Sequence, residues 1–333
     1  MKRYKAILVG NGTMGKRHRI RFEACDVQFV AVVDNLAEFN EIADKLNFGN
    51  PVEKETCTNG MQASQEVDFV VISSPATTHY AYAKFFVERK IPVFVEKPLA
   101  IAGEEAQELV DLAVKNDTLL FVAQSECYNP LFLNFRKHFL AELNMRGHVL
   151  HDAGNVRPDA GNVRLEFRRE HKYSERCRDV NVALDLLVHD LSLFFTMFRS
   201  QDVDVMWFET GKKSENDPAN FDSAKLRLTV ARGPHQGVVA DFYVNRSSDC
   251  DVRTIAVDFA RVTNPCNRSV VVPESNYVVS LSYYTSEGEV VHIPDSLDNE
   301  HRFFLKLLAG ACADWGHRAA QNAADCVKFA SEQ

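Results

Sequence analysis

The chain has 333 residues, of which 46% are hydrophobic and 25% charged, a composition typical of a globular protein with room for two domains. Its formal net charge of −8 argues against a nucleic-acid surface as the main function. No apolar run reaches the roughly eighteen residues of a transmembrane helix and no signal peptide opens the chain, so we expect a cytoplasmic protein without membrane contact.

The N-terminal segment predicts a dinucleotide-binding turn. The apolar run Ala6–Val9 predicts a buried strand, and Gly10-Asn11-Gly12-Thr13-Met14-Gly15 follows it at once and fits G-x-G-x-x-G. Gly10 permits the tight turn, Gly12 lets a pyrophosphate approach the backbone, and Gly15 lets the next helix pack close to the strand. The phosphates would then face free N–H groups at a helix N-terminus.

Asp34 ends a second predicted strand, Val27–Val33, about twenty residues after the glycines. A carboxylate at this place accepts hydrogen bonds from the adenosine ribose hydroxyls and repels a 2′-phosphate, which favours NAD over NADP. Aspartate also caps helices, and a helix is predicted over 36–46. Ribose binding is the preferred interpretation, and capping is the alternative.

Strand and helix signals keep alternating up to residue 124, which predicts an NAD-binding domain over 1–124 with a doubly wound parallel sheet. The further predicted elements are strands over 68–73, 93–95 and 119–123, and helices over 79–90 and 103–116. Ligands bind beyond the carboxyl ends of such strands. Ser73-Ser74-Pro75 and Glu96-Lys97-Pro98 both lie there.

Beyond residue 124 the pattern changes to that of an α+β domain, which we assign to 125–333. Helices are predicted over 130–143 and about 180–199, with a loop-rich stretch between them. Six strand-like runs follow, as expected for one large antiparallel sheet: 203–208, 225–231, 236–245, 253–260, 269–272 and 290–293. Helices over 299–313 and 317–331 close the chain.

Two local features predict little chemistry. The hexapeptide Asp-Ala-Gly-Asn-Val-Arg occurs at 152–157 and again at 159–164, which we interpret as a small duplication in a surface loop. Phosphate binding by Arg157 and Arg164 is the alternative. The eight cysteines are scattered without metal-ligand spacing, so we expect thiols in a reducing compartment and no metal site.

Asp185 and His189 are a candidate acid–base pair on the long predicted helix. They are four residues apart, so both side chains project from one helix face, among apolar neighbours. A histidine beside a carboxylate can be poised near neutral pH and held in one tautomer, as a general base requires. The alternative is a structural histidine satisfied by that carboxylate.

Lys97 is a second candidate, at the end of a strand and at the predicted cofactor crevice. The proline after it disfavours helix. A lysine there can donate a hydrogen bond to the reacting oxygen and stabilise developing alkoxide charge. The alternative is an ordinary lysine of an exposed loop.

Taken together, these motifs resemble the glucose–fructose oxidoreductase / inositol dehydrogenase / MocA (Gfo/Idh/MocA) family over nearly the whole chain. The resemblance rests on the glycine loop with His18, on Asp34, on Pro75 with His79, on Glu96-Lys97-Pro98, and on Asp185-x-x-x-His189. It implies a Rossmann domain, a second domain with a large open, mainly antiparallel sheet, and NAD(P)-dependent oxidation or reduction of a sugar or polyol carbon. It also implies a homodimer or homotetramer built through that sheet.

The resemblance assigns roles to individual residues. His189 would take the hydroxyl proton as hydride leaves for the nicotinamide, Lys97 would polarise the same oxygen, and Asp185 would orient His189 or hold a neighbouring hydroxyl. The cofactor-binding residues would be Gly10, Gly12, Thr13, Met14, Gly15, Asp34, Ser73, Ser74, Pro75, His79, Glu96 and Lys97.

Two segments resemble the branch of the family that acts on UDP-N-acetylglucosamine-like substrates: Ser125-Glu126-Cys127-Tyr128-Asn129-Pro130 and 178–185. We therefore expect oxidation at C3 of a UDP-N-acetylhexosamine. The expected substrate contacts are Tyr128, Asn129, Arg178, Asn181, Asp185 and His189.

The chain departs from its branch at Cys127, where many relatives carry an arginine, and at 181–183, where they often carry glycines. A diphosphate contact would then come from Arg168, Arg169, Arg176 or Arg178. Two other functions stay open: a free-sugar or inositol dehydrogenase, and a non-catalytic dinucleotide-binding regulator. The joint presence of Lys97, Asp185 and His189 argues against the regulator.

Overall fold

The computed structural model describes residues 3–45, 67–152, 163–173, 179–211, 220–259, 275–281, 295–311 and 313–331. Within them the chain divides into two units, and it passes from the first to the second between Ser125 and Glu126. The residues from Leu297 onward belong to the first unit again. The second domain predicted over 125–333 includes these C-terminal helices, and its C-terminal boundary is corrected accordingly.

Five parallel strands form the sheet of the first unit, in the spatial order β2-β1-β3-β4-β5. The strands are β1 (Tyr4–Val9), β2 (Val27–Val33), β3 (Phe69–Ile72), β4 (Val93–Glu96) and β5 (Leu120–Ala123), and the helices between them are α1 (Thr13–Ala24), α2 (Leu36–Lys45), α3 (His79–Glu88) and α4 (Gly103–Lys115). The last three strands are buried along their whole length, which is why they are continuous apolar runs. Strand order reverses at β1, and this confirms the doubly wound sheet with its switch point at the glycine turn.

Two C-terminal helices, α7 (Ser296–Leu308) and α8 (Ala313–Ser331), complete the core of the first unit. α8 packs on α4 and β5. The ring of Phe304 in α7 is fully buried, with centroid distances of 5.0 to 5.9 Å to the rings of Phe22, Phe69, Phe94 and Phe121. Amphipathic periodicity reveals such helices, but it does not reveal which sheet their apolar faces cover.

A six-stranded sheet forms the second unit, in the order β11-β10-β6-β9-β8-β7. Its strands are β6 (Val163–Glu170), β7 (Val203–Thr210), β8 (Ser223–Val230), β9 (Val239–Asn245), β10 (Val252–Phe259) and β11 (Ser275–Ser280). Neighbouring strands are antiparallel except β6 and β9, which pair in parallel. The predicted large, mainly antiparallel sheet is confirmed.

The structure corrects several boundaries in this unit. β6 lies in the stretch predicted to be loop, and helix α5 (Pro130–Asp152) continues past the predicted end at residue 143. β11 was not predicted either. The strands predicted over 269–272 and 290–293 lie outside the described residues, as does most of the duplicated hexapeptide.

The two faces of this sheet differ in character. On the inner face, Phe167 and Phe242 stack with their ring centroids 4.8 Å apart and contact Phe194 of helix α6 (Val188–Phe195). The outer face is charged and carries a hollow of about 450 Å³ lined in part by Arg164, Trp207 and Asp241. Among the described helices of both units, none has the length and hydropathy to span a membrane.

Candidate active site

Backbone packing fixes two of the three glycines in the turn between β1 and α1. Gly10 has a φ of +89°, and a Cβ atom there would lie 2.5 Å from the backbone of Ser73. A Cβ atom at Gly15 would lie 2.0 Å from the carbonyl oxygen of Gly10. At Gly12, in contrast, a Cβ atom would meet nothing within 4 Å among the described residues. The turn therefore leaves open space where a pyrophosphate has to approach.

The N-terminus of α1 suits an anion. Gly12 is its N-cap, no side chain of the described residues caps it, and its first turn holds no acidic residue. The first N–H groups of a helix have no partner within the helix, and the helix dipole favours negative charge there. The residues at this turn thus fit the phosphates of a dinucleotide.

Gly12→Ala and Gly15→Ala are expected to fail in different ways. The methyl group in Gly15→Ala overlaps a backbone oxygen, so the free energy of unfolding should fall by roughly 2 kcal/mol or more. Gly12→Ala should fold normally but bind NADH at least about tenfold more weakly, because the methyl group fills the phosphate approach. Thermal unfolding and NADH fluorescence titration measure the two effects. An equal loss of stability in both variants would contradict the assignment of a packing role to Gly15 and a phosphate-binding role to Gly12.

Asp34 faces the glycine turn. Its Oδ1 accepts a hydrogen bond from the Asn11 N–H at 2.7 Å. Helix α2 is capped instead by Asn35, whose Oδ1 accepts from the Glu38 N–H at 3.0 Å, while the Glu38 carboxylate accepts from the Asp34 N–H at 2.8 Å. The capping role that was open for Asp34 belongs to Asn35, and the Asp34 carboxylate lies beside the dinucleotide turn.

His79 connects the loops that follow β3 and β4. Its buried ring has Nε2 2.9 Å from the Ser74 carbonyl oxygen and Nδ1 2.7 Å from the Pro98 carbonyl oxygen. Because a carbonyl oxygen only accepts, both ring nitrogens donate in this arrangement. Among the predicted cofactor residues, the structure thus brings Ser74 and His79 together. His79 connects the loop after β3 to the loop after β4.

Glu96 is buried directly before the partly exposed Lys97, at the carboxyl end of β4. Its Oε2 accepts from the Lys97 N–H at 3.1 Å, and its Oε1 lies 2.7 Å from His18 Nε2. Burial pushes the pKa of the Glu96 carboxyl upward, but the hydrogen bond from His18 and the nearby positive charges bring this pKa below its ordinary value.

In the second unit, Asp185 lies in a π-helical turn, Ala183–Leu187, which runs directly into α6. The helix predicted over about 180–199 is thus π-helical in its first part and α-helical from Val188 to Phe195. Asn181 starts the turn, because its Oδ1 accepts from the N–H groups of Ala183 and Leu184 at 3.0 and 3.1 Å. Isolated π-helical turns inside helices are frequent at functional sites.

The carboxylate of Asp185 is buried beside an arginine that the sequence analysis missed. Its Oδ2 lies 3.8 Å from Arg246 Nη1, and Arg246 Nε donates to Asp222 Oδ1 at 2.9 Å. Arg246 directly follows β9 and Asp222 directly precedes β8, so no local spacing links either residue to Asp185. Two carboxylates thus share one buried cation.

His189 is partly buried in the first turn of α6. Its carbonyl oxygen accepts from Ser192 Oγ at 2.7 Å, and Cys127 Sγ donates to the same Oγ at 3.3 Å. Cys127 is thereby connected to the backbone of the candidate base.

Arg169, one of the possible diphosphate contacts, is committed to a buried ion-pair cluster. Its Nη2 donates to Asp190 Oδ1 at 2.8 Å and its Nη1 to Glu126 Oε1 at 3.1 Å. Arg253 adds a further hydrogen bond to Glu126 at 3.3 Å. The cluster joins β6 and β10 to the residues that flank Cys127 and His189.

The predicted substrate residues fare differently. Asn129 is fully buried, and its side chain hydrogen-bonds to Glu126, to the Leu281 carbonyl and to the Leu131 N–H, which points to a structural role at the start of α5. Tyr128 is half-buried. Arg176 and Arg178 lie outside the described residues.

A family model supports the sequence resemblance. The model for the Gfo/Idh/MocA oxidoreductase family, with an NAD-binding Rossmann fold, matches residues 4–124. The UDP-N-acetylglucosamine 3-dehydrogenase of Acidithiobacillus ferrooxidans is 26% identical over 240 residues, 72% of this chain and 66% of that protein. The rhizopine catabolism protein MocA of Rhizobium meliloti is 35% identical over 145 residues, 43% of this chain and 44% of that protein. The sequence matches thus span just under two thirds of the first relative and less than half of the second.

Solved structures share the fold over nearly all of the chain. The A. ferrooxidans UDP-N-acetylglucosamine 3-dehydrogenase has a TM-score of 0.63 at 21% identity and is covered over 99% of its length by 100% of this chain. A 3-ketoreductase from Actinomadura kijaniata, solved with NADP and TDP-benzene, has a TM-score of 0.62 at 14% identity, with 99% and 96% of the two chains covered. The protein GenD2 from gentamicin A biosynthesis, solved with NAD, has a TM-score of 0.61 at 17% identity, with 100% and 95% covered.

Proposed function

We propose that this chain is an NAD-dependent dehydrogenase of the Gfo/Idh/MocA family that oxidises a ring hydroxyl of a nucleotide sugar, at C3 of a UDP-N-acetylhexosamine. The observation that carries the proposal is the joint presence of Lys97 after β4 and of Asp185 and His189 in the π-turn and α6. A regulator that only senses a dinucleotide needs none of the three. The choice of substrate is supported by the 240-residue similarity to a UDP-N-acetylglucosamine 3-dehydrogenase.

In this mechanism the glycine turn and the N-terminus of α1 hold the pyrophosphate, and Asp34 holds the adenosine ribose. When bound, NAD supplies the hydride acceptor. His189 takes the proton of the substrate hydroxyl on an imidazole nitrogen. Lys97 Nζ donates a hydrogen bond to the oxygen that loses this proton and stabilises its developing negative charge. Asp185 orients His189 or holds a neighbouring hydroxyl.

A scan of UDP-sugars, free sugars and inositols, followed by NADH absorbance, tests the proposal. We expect UDP-N-acetylglucosamine or its epimers to give NADH, and UDP to raise the unfolding temperature when NAD is saturating, because ligands of the native state stabilise it. Turnover of inositols alone would replace the nucleotide-sugar reading. NADH binding without turnover of any member of the panel would favour the regulator.

A free-sugar or inositol dehydrogenase is the second candidate function. The chemistry of Cys127 and the ion pairs of Arg169 favour it. Cys127 offers no cation, and the guanidinium of Arg169 is occupied by Asp190 and Glu126. Both facts reduce the number of cations for a diphosphate. An inositol 2-dehydrogenase of Rhizobium meliloti is also 27% identical over 131 residues, 39% of this chain.

Asp34→Ser is expected to weaken NADH binding about tenfold and to narrow the preference for NADH over NADPH, because the ribose loses its acceptor and the 2′-phosphate loses a repelling charge. Fluorescence titrations with both nucleotides measure the change. Asp68→Ser is a matched control, since Asp68 also accepts a backbone N–H, that of Lys5 at 2.8 Å, but next to the first residues of β1. Tighter binding of NADPH than of NADH by the unaltered protein would refute the role of Asp34.

We also propose a homodimer or homotetramer built through the outer face of the C-terminal sheet. Val205, Met206 and Trp207 of the edge strand β7 are exposed, and Arg164, Arg227 and Asp241 form ion pairs beside the hollow. Exposed apolar groups next to charges are common at interfaces between protein chains. Light scattering should give a particle mass of two or four times the chain mass for the unaltered protein and a lower mass for Trp207→Glu. A monomeric unaltered protein at micromolar concentration would refute the proposal.

A further inference from the structure

Two histidines without a role in the mechanism above lie buried behind Lys97 in the first unit. Both His18 of α1 and His301 of α7 are 0% exposed. His18 Nδ1 is 3.0 Å from His301 Nε2, and His301 Nδ1 hydrogen-bonds to the Leu297 carbonyl. Together with the contacts of Glu96, this makes a continuous hydrogen-bond chain from helix α7 to the backbone N–H of Lys97.

The donor and the acceptor can be assigned at each hydrogen bond of this chain. The Leu297 carbonyl only accepts, so His301 Nδ1 carries a hydrogen. Burial, assisted by the charge of His18, lowers the pKa of His301 to about 3. Its ring is therefore neutral near pH 7, and its Nε2 is an acceptor. His18 must then donate from Nδ1, because no other hydrogen lies between the two rings.

The same reasoning fixes the contact with Glu96. A hydrogen bond of 2.7 Å between His18 Nε2 and Glu96 Oε1 needs one proton between them. With the pKa of Glu96 held below its ordinary value, that proton belongs to His18, and Glu96 stays a carboxylate. Its second oxygen is then available to accept from the Lys97 N–H.

We infer that His18 and His301 are positioning residues for Lys97: they keep the Glu96 carboxylate ionised and in place, and this carboxylate holds the backbone of Lys97. The inference rests on the proposed role of Lys97 in the reaction. His79 holds the other flank of Lys97 through the Pro98 carbonyl. Buried histidines thus hold the backbone on both sides of the lysine of the proposed reaction.

Packing alone does not require a histidine at position 301. The His301 ring lies in an aromatic cluster, with its centroid 4.3 Å from that of Phe22 and 5.3 Å from that of Phe94. A phenylalanine fits such surroundings, so His301→Phe deletes both nitrogens and keeps the ring. His301→Gln does the reverse, because its amide oxygen can accept from His18 in place of Nε2 while the ring is lost.

Amide hydrogen exchange of the full chain tests the inference without a substrate. His301→Phe should speed exchange of the Lys97 N–H about tenfold or more relative to the amides of β5, because the acceptor of that N–H is released. His301→Gln should restore most of the protection. Phe304→Leu is the matched control, since it weakens the same helix contact outside the hydrogen-bond chain, and it should speed both sets of amides alike. Unchanged relative exchange in His301→Phe overturns the inference.

Nitrogen-15 spectra of labelled histidines in the unaltered protein give a second reading. We expect His301 as the neutral tautomer with hydrogen on Nδ1, and His18 with hydrogen on both nitrogens. A His301 that carries hydrogen on Nε2 overturns the inference. Neither measurement needs turnover, so the failure of the proposed dehydrogenase activity would be recognised separately.

Once a substrate is found, His301→Phe should lower kcat about tenfold with an unchanged KM for that substrate. His301→Gln should recover this kcat. An unchanged kcat in His301→Phe would also overturn the inference.

Discussion

Replacing His189 by asparagine or Lys97 by methionine is expected to lower kcat by about 10²- to 10⁴-fold, with NADH affinity within about twofold of the unaltered protein. His189→Asn removes the base proposed to take the hydroxyl proton. Lys97→Met removes the cation proposed to stabilise the alkoxide but keeps the length of the side chain. Both effects belong to the chemical step, because neither group is needed to hold the phosphates or the adenosine ribose.

Two matched variants control for the loss of a histidine or a lysine as such. His171→Asn changes a histidine just after β6, and Lys115→Met changes an exposed lysine in the last turn of α4. Both should leave kcat within about twofold. Steady-state NADH formation and NADH fluorescence titration on the same preparations separate catalysis from binding. Full turnover in His189→Asn or Lys97→Met would remove that residue from the mechanism, and a loss of NADH binding would move it to the cofactor site.

Arg169→Met is expected to lower the free energy of unfolding by about 3–5 kcal/mol, the usual cost of removing one partner from a buried ion pair. Asp190 and Glu126, both buried, depend on this guanidinium. Burial raises the pKa of Asp190 and also acts to raise that of Glu126, which the charges of Arg169 and Arg253 hold below its ordinary value. Without Arg169, protonation of Asp190 and the remaining Arg253 keep the loss near the lower end of the range.

The neighbouring residue on β6 offers a direct comparison. The Arg168 side chain is 49% exposed against 5% for Arg169, and it pairs with Glu170. Arg168→Met should therefore cost only about 0–1 kcal/mol. Urea denaturation of both variants, with equal slopes, measures the difference. Similar losses in the two variants would show that the buried cluster contributes no more than a surface pair.

The features that the sequence predicted correctly depend on residues close together in the chain. The glycine turn, the buried runs of β3 to β5 and the acidic end of β2 depend on local spacing, and the structure has them where they were expected. β6 was not predicted, although its residues alternate between buried and exposed from Val163 to Arg168, because five of its eight side chains are charged arginines or glutamates. These charged side chains obscured the alternation of apolar and polar residues that indicates a strand.

The features that the sequence did not reveal depend on contacts between distant residues. Arg246 and Asp222 reach Asp185 only through the pairing of β8 with β9. The capping role of Asn35 could have been read from Glu38 three residues later, a known capping signature. Nothing in the helical period of α7, however, indicates that His301 meets His18 rather than a residue of the second sheet.

That meeting joins residues 283 positions apart and has a consequence during synthesis. The ribosome adds about 5–20 residues per second, so the five parallel strands emerge on the order of ten seconds before α7 does. Through that interval Phe22, Phe69 and Phe94 lack the ring of Phe304, which closes their cluster. The nascent sheet therefore presents an incomplete aromatic core to chaperones while the second unit is being made. The unit that is translated first is finished last.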